Sequence, residues 1–390
     1  MPRKILFCAT VDYHFTKFHI PYMKWFKEQG WEVHVAASGQ LELPYTDVKF
    51  VIPIHRSPFR YSNMLAFQKL KTIINQENYD IIHCHTPLGG VLARLAAVEA
   101  RARGTKVIYT AHGFHFYKGA SPFNWMLYYP IEKQLAKITD CLITINTEDY
   151  LLAKEKEFKA SLIEHVHGVG VNTERFIPMD EQTKKATRET YRYKDDEFLL
   201  IYAAEFNHNK NQKFLMRAIE QIKREIPKVR LLLAGEGPTL QQCQVEMFRL
   251  GVASSVDFLG QRDDIDTLLP MCDVAVASSL REGLPVNVME AMACGLPVVA
   301  VTNRGHRELV KHEVNGYLVE RDDVSGFVEK IITLYQNKTL KQQLGKESRS
   351  RVSHFSLVKV QKELESVYAP FMLGEDYEEE TKDQYHHTPI

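Results

Sequence analysis

Two carboxylates, Glu282 and Glu290, stand eight positions apart in REGLPVNVMEAMACGLPVV, an otherwise apolar stretch. A Gly-Leu-Pro turn lies between them. Acids so placed either cap and solvate a helix start or grip a polar ligand. Glu290 falls among Met289, Ala291 and Met292, where a solvated acid is not expected, which favours the ligand. Its oxygens can accept from two neighbouring hydroxyls, as on a ribose. Gly283 lets backbone approach closely, and Pro285 suits a first helical position. Amides at Gly283, Leu284 and beyond would then offer a phosphate the positive end of a helix. Lys210, in AAEFNHNKNQ, follows another strand end, and a lysine there can neutralise a diphosphate.

A second set of residues is rich in imidazole. His14 follows the first apolar run, His83 and His85 lie in IIHCHT, and His112 and His115 in TAHGFHF. Each alone reads as a core histidine, but their shared place at strand ends argues for one site. HCHT offers no third and fourth ligands at usable spacing, so zinc is not expected. TPLGG, from Thr86 to Gly90, opens a helix able to receive phosphate groups. GEGPTL, from Gly235, lacks the third glycine of a dinucleotide fingerprint, and Pro238 fits a helix start there. Asp264 and Asp266 spell D-x-D, but at the start of an amphipathic helix they read as an N-cap pair. No metal and no cofactor is expected.

The elements that must position these residues alternate. Short apolar runs such as KILFCAT, WEVHVAA, DIIHCHT, KVIYTAH and CLITIN are separated by amphipathic helical stretches. That rhythm predicts an α/β fold, a doubly wound parallel sheet covered on both faces. It breaks over the polar run GVNTERFIPMDEQTKKATRETYRYKDDE and restarts at FLLIYAAEF. The boundaries that follow are a first domain over 1–172, a linker over 173–196, a second domain over 197–355, a helix over 356–373 and an acidic, core-free tail over 374–390 that reads as disordered. Ligands bind such sheets at the carboxyl ends of their strands.

Composition excludes much else. The chain has 390 residues, 45% hydrophobic, with 49 basic and 49 acidic side chains, so no global charge points to nucleic acid. Residues 1–172 carry 20 Lys/Arg against 15 Asp/Glu and the remainder 29 against 34, a bias that favours an anionic membrane surface for the first half. Six cysteines sit mostly inside apolar runs without a C-x-x-C pair, which reads as buried thiols in a reducing compartment. No run of 18 apolar residues occurs, and MPRKILFCATVD reads as a first strand, not a signal peptide. A cytoplasmic protein with peripheral membrane contact is expected.

With these motifs in order, the chain resembles the retaining nucleotide-sugar glycosyltransferases of family four, whose GT-B fold sets two Rossmann-like domains about a cleft. Glu282 and Glu290 match the E-x7-E motif. EGLPVNVMEAMACGLPVVA, HGVGVNTERF, LAGEGP and NRGHRELV look like the C-terminal half of that family, and FHIPYMKWFKEQGWEVHVAA, HCHTPLGGVLARLAA and TAHGFHFYKG like its bacterial capsule and exopolysaccharide branch. The resemblance spans residues 3 to about 370 and implies a terminal helix crossing back to the first domain. It implies that Glu282 holds the donor sugar, the Gly283, Leu284 and Pro285 segment the sugar and phosphate, Glu290 the ribose, and Lys210 the diphosphate. Asn207, Gly235 and Arg262 join the donor side, Arg262 near the nucleobase. His112 would face the donor sugar through side chain or backbone, with His14, His85, Thr86 and Gly113 lining the acceptor pocket.

One departure stands out. The common motif has Gly-Arg-Leu where this chain has Ala204-Glu205-Phe206. Lys210 is then the main diphosphate cation from this loop, and Glu205 is expected to touch the sugar or orient Lys210. The implied activity is retaining transfer from a UDP-sugar to a lipid-linked oligosaccharide. The aromatic FHFYKGASPFNWMLYYP would either pack internally or edge the membrane. Two other readings fit the same motifs: an epimerase or hydrolase of this fold, marked by UDP release without acceptor, and an inactive scaffold in polysaccharide assembly.

Overall fold

The computed structural model describes residues 2–57 and 59–373; the expected acidic tail lies outside the described residues. The chain forms two compact units, one running to Val169 and resuming at Val360, the other spanning Gly170–Lys359. The expected linker over 173–196 therefore lies within the second unit.

In the first unit, seven strands form one parallel sheet: β1 (Lys4–Val11), β2 (Glu32–Ser38), β3 (Val48–Val51), β4 (Ile81–His85), β5 (Lys106–Ala111), β6 (Cys141–Thr144) and β7 (Leu162–His165), in the order β3-β2-β1-β4-β5-β6-β7. The sheet is doubly wound because the winding direction reverses between β1 and β4. Along β1, Leu6 and Cys8 enter one core while Ile5, Phe7 and Ala9 enter the core on the opposite face, as period-two alternation requires of a strand buried on both sides. The last helix, Leu357–Leu373, sends Val360, Leu364 and Tyr368 into that second core. Their four-residue spacing is one face of a helix. Tyr368 Oη lies 2.5 Å from His83 Nδ1.

The second unit repeats the plan with β8 (Phe198–Ala203), β9 (Val229–Ala234), β10 (Val256–Gly260), β11 (Val274–Ala277), β12 (Val298–Val301) and β13 (Gly316–Val319), in the order β10-β9-β8-β11-β12-β13. Here the reversal falls between β8 and β11. The helix Glu181–Thr190 is tied in by charge. Arg188 Nη2 donates to Asp273 Oδ2 at 2.8 Å and Lys341 Nζ to Asp273 Oδ1 at 2.7 Å, and Leu199 N also donates to Asp273 Oδ2.

Asp273 is buried, a burden offset by Lys184, Lys341 and Arg188, which together hold its carboxyl well below the usual carboxylate range. Because the folded value is depressed, this stabilisation is complete above the unfolded value of about 3.9 and is lost as pH falls below it. Asp273→Ala leaves three cations without their partner. Denaturant unfolding of the variant is expected to show a loss of about 3–5 kcal/mol in the second unit.

All six cysteines are buried thiols. No helix among the described residues is long and apolar enough to cross a membrane. Two short edge strands, β7 and β13, are additions to what the sequence rhythm predicts. The aromatic segment packs internally in part. Phe114 and Phe116 are buried and stack at 4.7 Å, while Phe123 and Met126, on the helix Pro122–Ala136, are 61% and 71% exposed.

Candidate functional site

Both reversal points carry polar clusters, and they are chemically unlike. At the second unit's reversal, the loop after β8 and the loop after β11 are stitched together through backbone. Ser278 Oγ donates to Lys210 O at 2.7 Å, Leu280 N to Asn209 O at 2.8 Å, and Asn209 Nδ2 to Arg281 O at 2.9 Å. Asn207 Oδ1 accepts from Lys210 N at 2.9 Å, closing a turn of the kind asparagine favours. This frame delivers the Lys210 ammonium to Glu282, Nζ to Oε1 at 2.5 Å, with side chains 20% and 14% exposed. Cation and acid meet in a partly dry site, where a charge-assisted bond is short and strong.

Glu205 is linked to the Lys210 backbone through Asn207, whose Nδ2 donates to Glu205 Oε2 at 3.0 Å. Gly235 and Gly237 have a backbone reason to be glycine. Their φ values are +139° and +149°, and a Cβ would meet Ala204 O at 2.2 Å and Phe206 O at 2.4 Å. The GEGP turn thus lies directly on the 204–206 loop.

The Glu282 loop is also held from below. Arg304 Nε donates to Glu282 O at 3.1 Å and Arg321 Nη2 to Leu280 O at 2.9 Å. Asn287 Nδ2 donates to Ala203 O at 2.9 Å, pinning the start of the helix Val286–Ala293 to the end of β8. Pro285 occupies the N-cap position, one residue earlier than expected, with no side-chain cap on the helix. Its φ of −79° and ψ of 114° are extended, so the turn ends through Pro285 before the helix begins. The uncapped first turn suits an anion. Glu290 lies in the second turn, half-buried and in electrostatic reach of Arg175.

Sequence reasoning passed over His306 within NRGHRELV. Its Nδ1 donates to Val301 O at 2.6 Å, while its buried Nε2 has no hydrogen-bond partner among the described residues. Burial lowers its pKa against a raising influence from Glu282.

Three expectations need correction. Pro238 lies outside the helix Leu240–Arg249, whose N-cap is Thr239. Asp264 sits at the N-cap of Ile265–Met271 but does not cap it; its carboxylate takes both arms of Arg262 and the Tyr191 hydroxyl, and Asp266 pairs with Arg175 at 3.0 Å. A bidentate arginine is a stronger partner than a backbone amide. Arg262 is thereby held on Asp264, its Nε 2.8 Å from Oδ1.

At the first unit's reversal, imidazoles gather at or just beyond the ends of β1, β4 and β5. His14 lies on the helix Tyr13–Phe18, His19 stands at the N-cap position of the next helix without a side-chain cap bond, His85 ends β4 and His112 follows β5. His14 and His85 come together with His112 as expected; His19 was not anticipated. Burial drives all four towards the neutral base, His112 to about 4. Gly113 has φ +125°, a conformation that favours glycine. Thr86 is less available than expected. Its Oγ1 accepts from Thr10 N at 3.0 Å, lies 2.8 Å from Thr10 Oγ1 and donates to His85 O at 2.5 Å.

Two doubly wound parallel-sheet units, each with a polar cluster at its reversal point, and one of them a lysine–glutamate pair beside an uncapped helix start, define the GT-B class of glycosyltransferase. The chain belongs to that class. The family model described as "Glycosyl transferases group 1" matches residues 183–351, and "Glycosyl transferase 4-like" matches residues 4–146.

It is 51% identical over 372 residues to "Putative glycosyltransferase EpsD" of Bacillus subtilis (strain 168), covering 95% of this chain and 98% of the relative. It is 26% identical over 330 residues to the "UDP-Gal:alpha-D-GlcNAc-diphosphoundecaprenol alpha-1,3-galactosyltransferase" of Escherichia coli, covering 83% and 84% of the two chains. The fold is shared with Anabaena HepE, solved in complex with UDP and glucose, at a TM-score of 0.77, 20% identity, and 94% and 99% coverage.

Proposed function

We propose that the protein is a retaining glycosyltransferase that moves a sugar from a UDP-sugar to a growing, lipid-linked exopolysaccharide oligosaccharide. The observation that carries this reading is the Lys210–Glu282 pair at the reversal of the second sheet. A bound nucleotide sugar would divide that pair, giving Lys210 the diphosphate and Glu282 the sugar hydroxyls. Gly283, Leu284 and the helix start before Val286 would add amides to the phosphates, and Glu290 would take the ribose. Gly235 would let Ala204 and Glu205 approach the donor.

The chemistry follows from these charges. The bond between the anomeric carbon and the diphosphate breaks as an acceptor hydroxyl attacks from the same face, and the departing diphosphate takes the proton. Glu282 and Glu290 have binding roles, and no other carboxylate among the described residues is assigned as a nucleophile, so the step is front-face substitution through an oxocarbenium-like state. Stabilising the leaving diphosphate is the main catalytic burden, and Lys210 with the helix start carries it; no metal is assigned to this step. His112 presents its backbone to the donor sugar, with His14, His85, Thr86 and Gly113 on the acceptor side.

A UDP-linked donor and an acceptor on a lipid diphosphate are supported by what the Escherichia coli relative's name describes. Exposed Phe123 and Met126, with the basic balance of the first half, support contact with the inner face of the membrane, and so a cytoplasmic, peripheral protein.

A panel of nucleotide sugars tested by thermal shift provides the check. A matching donor at a hundred times its Kd is expected to stabilise by about 2.7 kcal/mol, and transfer should then require a lipid-linked acceptor. Robust turnover of the donor without any acceptor would sink this reading.

A further inference from the structure

Nε2 of His14 and Nε2 of His19 face each other at 3.1 Å, and Nε2 of His112 lies 3.3 Å from Nδ1 of His85. One ring nitrogen from each of the four lies within 4.8 Å of all the others. These separations approach those of a coordination shell. Nitrogens about 2.0–2.1 Å from a tetrahedral ion stand roughly 3.3–3.4 Å from one another.

His85 meets His112 through Nδ1, and its other ring nitrogen is unmet. Nε2 of His85, a residue with no exposed surface, has no hydrogen-bond partner among the described residues. His83 makes the contrast. Its ring centroid is 4.1 Å from that of His85, yet its own nitrogens lie 2.5 Å from Tyr368 Oη and 2.8 Å from Thr110 Oγ1. His83 is a satisfied core histidine that braces the cluster; His85 is not satisfied.

We infer that His14, His19, His85 and His112 form a binding site for one divalent transition-metal ion of the zinc class, at the carboxyl ends of β1, β4 and β5. Four imidazoles suit zinc, copper, nickel and cobalt, whereas magnesium and calcium take oxygen ligands. Neutral imidazole is the form that ligates, and three of the four residues are buried and the fourth partly so. The ion would tie into one shell what are otherwise two ring pairs, His14–His19 and His85–His112. It belongs to the first unit and uses none of the Lys210, Glu282 and Glu290 side chains of the second, so the inference stands whether or not the donor reading does. It agrees with a backbone role for His112 at the sugar, because the imidazole is then engaged.

The test uses the full chain, stripped with a chelator, dialysed and titrated with Zn2+ or Co2+ alone. One ion per chain is expected, with a rise in Tm on loading and, for Co2+, the strong visible bands of a four-coordinate nitrogen site. His19→Ala and, separately, His85→Ala should each weaken Co2+ binding by more than about a hundredfold, beyond the 10–100-fold that losing a merely supporting group costs. A His386→Ala, His387→Ala double variant removes the adjacent histidines near the C-terminus and should bind as the parent does. Should a cluster variant fail to fold, stoichiometry and the Co2+ spectrum of the parent still decide. Three results would each overturn the inference: a folded parent chain that binds no ion, undiminished binding by folded His19→Ala, or binding lost with the two C-terminal histidines.

Discussion

Lys210→Ala is expected to lower kcat by roughly 10²–10³-fold, the scale on which removing one preorganised donor to a developing anion slows an enzyme. Two features make the change readable. The loop's own bonds use Lys210 backbone, N to Asn207 Oδ1 and O from Ser278 Oγ, so truncating the side chain leaves the frame stitched. The usual arginine is absent as well, Glu205 standing in its place, which concentrates the duty on one ammonium. Steady-state UDP release with an oligosaccharide acceptor is the measurement, with Glu282→Ala alongside. Polymer synthesis that survived both changes would remove the donor assignment.

Gly305→Ala should cost about 10²-fold in kcat/KM without touching a reacting group, the penalty of moving a positioned group by about 1 Å. A Cβ there would lie 2.8 Å from Glu282 Cβ, 2.9 Å from Gly283 O and 3.0 Å from Pro285 Cδ. A main-chain oxygen and a proline ring cannot swing aside as a flexible side-chain tip can. The Glu282 loop must therefore shift. Gly30→Ala supplies the control, since Gly30 has φ +77° and nothing within 4 Å of a Cβ. That change loses stability through conformation alone and should leave kcat/KM near the parent value. Equal kinetic losses in both variants would mean that the Gly305 effect is global.

The fold was legible because buried parallel strands are near-continuous apolar runs, and KILFCAT or DVAVA can hardly be anything else. The missed strands, β7 and β13, are edges four residues long. LIEH, with no fully buried position, lacks the apolar signal that burial on both faces imposes. Glu282 and Lys210 were singled out from type and position, and the structure pairs them although 72 residues separate them. Asp264 was misjudged because a string shows what could cap a helix but not which arginine will claim the carboxylate. The imidazole cluster shows the same limit most sharply. His14, His19, His85 and His112 have no ligand spacing in sequence, since three strand ends of one sheet bring them together.

The return of the chain to the first unit at Val360 sets a clock on synthesis. Tyr368 packs edge-on against Phe26 at 4.9 Å and meets His83, yet it leaves the ribosome about 200 residues after β7. At roughly 5–20 residues per second, the early sheet waits some 10–40 s with a helix-sized apolar seat uncovered. A nascent chain halted before that helix offers this surface to chaperones or to other unfinished copies.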